Sequence, residues 1–148
     1  MQIEREELAN SVTHGFGAVA SVAAGSALMV LAVMKGNAWL AIGTAVFALS
    51  MVALYTISTL YHAVPAESAK SRLKVADHCA IYALIAGTYT PFMLGGVRGG
   101  LGWTLFGVIW GLAAAGVVFK LFFTGRFRRL STAVYIAMGW LVVVAARP

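Results

Sequence analysis

The sequence predicts an all-α fold, a polytopic transmembrane helix bundle, and three observations carry that prediction. Of its 148 residues 61% are hydrophobic and only 11% charged, with a mean hydropathy of +0.87. A water-soluble domain carries about 25% charged residues, which it needs to cover its core. The apolar residues fall in long runs, and a helix crossing a roughly 30 Å hydrocarbon layer needs about 20 of them. The basic residues behind the net charge of +6 concentrate in short connections between the runs. Charge placed there reports membrane orientation, so no nucleic-acid partner is expected. The chain reads as one transmembrane domain over residues 1–148.

Five spans are predicted, at about 16–34, 39–61, 75–94, 103–123 and 130–146. Ahead of the first, Glu4, Glu6 and Glu7 stand against Arg5. This segment lacks the basic start of a cleavable signal peptide, so the first run is expected to stay in the mature protein. Only Lys35, Gly36, Asn37 and Ala38 separate the first two runs, which must therefore be antiparallel neighbours. Residues 63–74 form the longest polar connection, with Pro65 and the basic trio Lys70, Arg72 and Lys74. Pro91, after Thr88, Tyr89 and Thr90, should bend the third helix, because it removes a backbone donor whose freed carbonyl the threonines can satisfy. A glycine-rich connection around Arg98 follows, and Gly107 and Gly111 form a small-xxx-small pair in the fourth run. Arg126, Arg128 and Arg129 read as an orientation anchor, with contact to anionic lipid as the alternative. The fifth run is the shortest and is followed by Arg147 and Pro148. Arg5, Lys70, Arg72, Lys74, Arg126, Arg128 and Arg129 lie on one side, and Lys35, Arg98 and Arg147 on the other. That imbalance predicts a cytoplasmic amino terminus. Cys79, the one cysteine, can form no intrachain disulfide and reads as packing.

The ionisable residues near the spans share one face. His14 opens the first run, His62 closes the second, and Asp77 with His78 opens the third. Ionisable groups are costly in lipid and tend to mark a site. Ser58 and His62 are four apart on one helix face, with Tyr55 a further turn back. A histidine so placed can present an imidazole nitrogen to a metal, with the serine hydroxyl bonding a metal-bound water. The plainer alternative is an interfacial histidine that touches water and headgroups. Asp77 reads either as a helix N-terminal cap helped by the dipole or as a carboxylate that holds or deprotonates a water. His78 points about 100° away from it around the helix and reads as flanking. Glu7, Asn10 and His14 form one polar stripe if the first helix begins before Glu7; otherwise Asn10 caps it. Three histidines and an aspartate match a zinc inventory, but no short-spaced HxxxH or CxxC pair occurs.

Taken together, Glu7-x-x-Asn10-x-x-x-His14, Ser58-x-x-x-His62, Asp77-His78 with Tyr82, and Gly87-Thr88-Tyr89-Thr90-Pro91 resemble the bacterial hemolysin III family, within the progestin and adipoQ receptor superfamily. The resemblance runs through nearly the whole chain. It implies a seven-helix protein of the bacterial inner membrane with a zinc site near the cytoplasmic face. His62 maps onto a zinc ligand, Asp77 onto the residue beside zinc-bound water, and Ser58 onto the same site; Glu7, Asn10 and His14 are a family motif not assigned to the metal. The resemblance further implies a role in membrane lipid and fluidity homeostasis or cytolytic pore formation, with membrane lipids as partners. In the family the remaining zinc ligands come from an HxxxH motif on the seventh helix, whereas here no histidine follows His78. The expectation is a chain shortened after the fifth helix, with a partial zinc site that a second copy or a complementing chain would complete. Two other functions are weighed. One is a zinc-dependent lipid amide hydrolase resembling the ceramidases, which the missing ligands argue against as a self-contained enzyme. The other is an ion or proton conduction module gated by His14, His62 and Asp77, which predicts polar residues continuing across the bilayer.

Overall fold

In lipid a backbone must satisfy its own polar groups, which leaves helices as the natural solution for these apolar runs. The structure, a computed structural model, describes residues 2–97 and 99–145. Its elements are α1 (Gln2–Met34), α2 (Ala38–Ala63), α3 (Glu67–Pro91), a π-helical turn (Phe92–Gly96), α4 (Gly100–Phe123), α5 (Arg128–Trp140) and a short α6 (Val142–Ala145). Helices α1 to α4 pack in chain order, each against its predecessor, and α5 lies against α3 and α4. Hydroxyl groups inside the helices are satisfied locally: Thr13, Ser21, Thr59, Thr88 and Thr90 each donate to the carbonyl four residues back.

Lipid tails are as apolar as leucine, so helices in a bilayer are held by close packing more than by burial. Gly17, Ser21 and Gly25 form the face of α1 against α2; a Cβ on Gly25 would stand 2.9 Å from the Cβ of Ala48. Gly43 of α2 accepts the backbone of Pro91, to which a Cβ would come within 2.6 Å. The side chains buried together are Tyr82, Ala86, Tyr89, Met93, Ile109, Ala113 and Met138, between α3, α4 and α5. Large apolar residues such as Phe16, Val19, Leu49 and Phe122 stand on the outer surface instead. That distribution suits hydrocarbon outside.

Several sequence expectations change. Among the described residues four helices, not five, are long and apolar enough to cross a membrane: Glu4–Met34, Ala38–Ala63, Glu67–Gly96 and Gly100–Phe123. The fifth run is broken after Trp140. The 13 residues of α5 rise about 20 Å, short of a hydrocarbon core. The Tyr89 hydroxyl occupies the break, within 2.7 Å of the Met138 and Gly139 carbonyls while accepting from the Val142 amide at 2.8 Å. The polar connection before the third span is mostly helix, because α3 begins at Glu67. Asp77 therefore lies well inside α3 and is no N-terminal cap. Asn10 is likewise inside α1, and the residue that does cap is Asn37, whose side chain accepts from the Leu40 amide at 3.2 Å. The irregularity expected at Pro91 takes the form of the π-turn, closed by Val97 N–H donating to the Phe92 carbonyl at 2.8 Å. Gly107 and Gly111 meet nothing within 4 Å and contribute to no described helix contact. Arg98, Ala146, Arg147 and Pro148 lie outside the described residues.

Candidate functional site

The start of α1, the end of α2 and the start of α3 meet at one end of the bundle. Glu7, His14, Ser58, His62 and Lys70 come together there. His14 Nδ1 shares a hydrogen bond of 2.6 Å with Ser58 Oγ, and Ser58 is only 3% exposed. His62 Nδ1 lies 3.1 Å from Glu7 Oε2. A carboxylate only accepts, so that nitrogen carries the proton and a neutral His62 keeps its lone pair on Nε2. Lys70 Nζ donates to the same Glu7 oxygen at 2.7 Å and sits 5.2 Å from the centre of the Tyr61 ring. The two imidazoles stand edge to face, with ring centres 5.6 Å apart, and His14 has the same relation to Tyr55 at 5.9 Å. A histidine held by a carboxylate through Nδ1 is the usual arrangement of a metal-ligating imidazole.

Asn10 lies exposed on α1 between Glu7 and His14. Asp77 is largely enclosed, with its side chain 15% exposed, and its Oδ2 lies 3.8 Å from His78 Nδ1. That nitrogen of His78 is 2.7 Å from the Lys74 carbonyl, to which it donates. Across from them Tyr135 of α5 donates to the His78 carbonyl at 3.3 Å and is within electrostatic reach of Asp77. Zinc takes three or four protein ligands. Among the described residues no three His, Cys, Asp or Glu side chains converge in a way that would hold a metal. His14, His62 and Asp77 are thus not drawn into one such trio, and the donor set of these residues does not fit a complete zinc site.

One polar group went unnoticed in the sequence. Lys120, in the last turn of α4, is only 2% exposed, and its ammonium donates to Ser131 Oγ of α5 at 2.6 Å. Cys79 faces the same region, with Sγ 3.9 Å from the Val117 carbonyl. Tyr82 packs at a tilt against Tyr135, with ring centres 4.6 Å apart. The available signal was a lone cation within an apolar run, which deserves the same suspicion as an acid there.

Four membrane-length helices, apolar outside and with their titratable groups gathered at one end, define an integral membrane protein of the helix-bundle class. Within that class the chain belongs to the Haemolysin-III related family, whose sequence profile matches residues 2–148. It is 48% identical to the Hemolysin-3 homolog of Bacillus subtilis, over 97% of this chain and 68% of the relative. To the Hemolysin-3 of Bacillus cereus it is 47% identical, over 99% of this chain and 67% of that one. A more distant likeness, 29% over 91% of this chain and 58% of the relative, is to the human monocyte to macrophage differentiation factor. No solved structure matches.

Proposed function

We propose that this protein serves membrane lipid and fluidity homeostasis, with the Glu7–His62 and His14–Ser58 pairs as its functional centre. The observation that supports this reading is the hydrogen-bonded polar network at one end of a bundle that otherwise faces lipid. The basic residues near that end, Arg5, Lys70, Arg72 and Lys74, support its reading as the cytoplasmic end in a bacterial inner membrane. The test is membrane order in cells that lack the gene, read with a polarity-sensitive membrane dye. Wild type should restore order and His62→Ala should not; full restoration by the variant removes the network from the function.

His62 is offered as one ligand of a zinc site, with Asp77 and Ser58 near its water and the missing ligands supplied from outside the described residues by a second copy or a complementing chain. Metal content of the detergent-purified chain checks this. Well under one zinc per chain agrees with the incomplete donor set. A full equivalent that disappears in His62→Ala would mean that His14, His78 or a second copy completes the site, and would bring the amide hydrolase reading forward. Cytolytic pore formation is a second reading, favoured by likeness to a protein named Hemolysin-3. Dye release from liposomes that persists in His62→Ala would support it.

A further inference from the structure

Beside the histidines, a cavity of about 420 Å³ opens between the start of α1 and the junction of α2 with α3. Glu4, Glu7, Ser11, His62 and Lys70 line its polar side, Leu8 and Pro65 its apolar side. Beside the Glu4 carboxylate, Glu7 and Lys70 form a pair of opposite charges with unused valences. Lys70 gives one of its ammonium protons to Glu7 Oε2 and keeps two. His62 reaches that same oxygen, which leaves Glu7 Oε1 to accept from a molecule outside the chain. A partly exposed ion pair contributes little by itself, so sharing it with a ligand that carries both charges is cheap.

Leu8 also begins a second feature. Leu8, Val12, Phe16 and Val19 fall four, eight and eleven positions along one face of α1, and all four are exposed. At 1.5 Å per residue this apolar track runs about 16 Å from the cavity along the helix. A polar cup that continues into an apolar track matches a headgroup joined to an acyl chain.

We propose that the cavity binds a phospholipid whose headgroup carries both a phosphate and a primary ammonium, that is, phosphatidylethanolamine. Lys70 takes the phosphate, Glu7 and Ser11 take the ammonium, and one acyl chain lies along Leu8, Val12, Phe16 and Val19. The site rests on the functional reading only in placing this end of the bundle at a membrane face, and it needs no zinc. Selectivity follows from donor count: a primary ammonium offers three N–H groups, and each N-methyl removes one until choline has none. A purely anionic headgroup satisfies Lys70 but repels Glu7.

The test uses the full chain in mild detergent with a metal chelator. It is offered phosphatidylethanolamine, its N-monomethyl and N,N-dimethyl derivatives, phosphatidylcholine and phosphatidylglycerol, all with the same acyl chains, and bound lipid is read by native mass spectrometry. Loss of charge-assisted hydrogen bonds should favour the primary amine over choline by about tenfold, with binding falling at each methylation. Glu7→Gln should bring that ratio close to unity, and Lys70→Gln should weaken every phosphate lipid. Glu6→Gln, exposed on the same helix and outside the cavity, should keep the preference. Equal binding of choline and ethanolamine lipids by wild type overturns the proposal. So does strongest binding of phosphatidylglycerol, which would mean a basic surface only, or a lipid-free dimer. The methylation series is read on wild type and survives any variant that does not fold. Selectivity without rescue of membrane order leaves this site standing and sinks the homeostasis reading; rescue without selectivity does the reverse.

Discussion

Lys120 and Ser131 depend on each other unequally. Ser131 keeps a second bond, to the Phe127 carbonyl at 3.3 Å, so its hydroxyl stays satisfied if the amine is removed. Lys120→Met should therefore be tolerated, since an apolar side chain of similar length often replaces a buried charge at no loss. Ser131→Ala strands a buried amine and should cost about 1–3 kcal/mol. Thermal unfolding of both variants in detergent checks the asymmetry, and equal losses would refute it. The same residue scale shows what could be read in advance. His14, His62 and Asp77 were legible because each is an ionisable side chain at the edge of an apolar run. The bond from His62 to Glu7 spans 55 positions and that from His14 to Ser58 spans 44, and no local pattern encodes either. Lys120 lies within an apolar run, and nothing local to it encodes its partner Ser131 on the next helix.

Among the helices, small residues decide which faces touch. The visible small-xxx-small pair, Gly107 and Gly111, faces open space, whereas Gly17, Ser21 and Gly25 make the α1–α2 contact. The spacing is the same in both, and only the partner surface distinguishes them, so sequence alone could not choose. Gly43→Ala should cost about 1–3 kcal/mol, because its Cβ would collide with backbone that has nowhere to go. Gly107→Ala should be neutral or gain about 0.5–1 kcal/mol from the better helix former. Denaturation midpoints of the two variants test that contrast. Tyr89→Phe removes the hydroxyl from the α5–α6 break and should accelerate hydrogen exchange at the Val142 amide. Unchanged exchange there would mean that the break holds itself.

For the whole molecule, composition alone disclosed the class, since so few charges cannot cover a core of this size in water. The extent of α3 was hidden, because residues 67–74 are polar enough to read as loop although they form the first turns of the same continuous helix. The length of α5 was hidden for the opposite reason: an apolar run looks continuous, although a tyrosine from another helix holds it open. One feature of the chain path also bears on how the protein is made. The turn between α1 and α2 is so short, only Lys35 to Asn37 outside helix, that the insertion machinery has no room to release one span before receiving the next. The two are expected to enter as a hairpin, whose turn carries only a single lysine and its polar neighbours. One lysine at the bilayer centre costs about 2.5–3.5 kcal/mol on insertion scales, against two spans of apolar gain. Whichever way the hairpin inserts, Glu7, His14 and His62 sit at the same ends of α1 and α2, so the parts of the polar network on these two helices arrive on one side together.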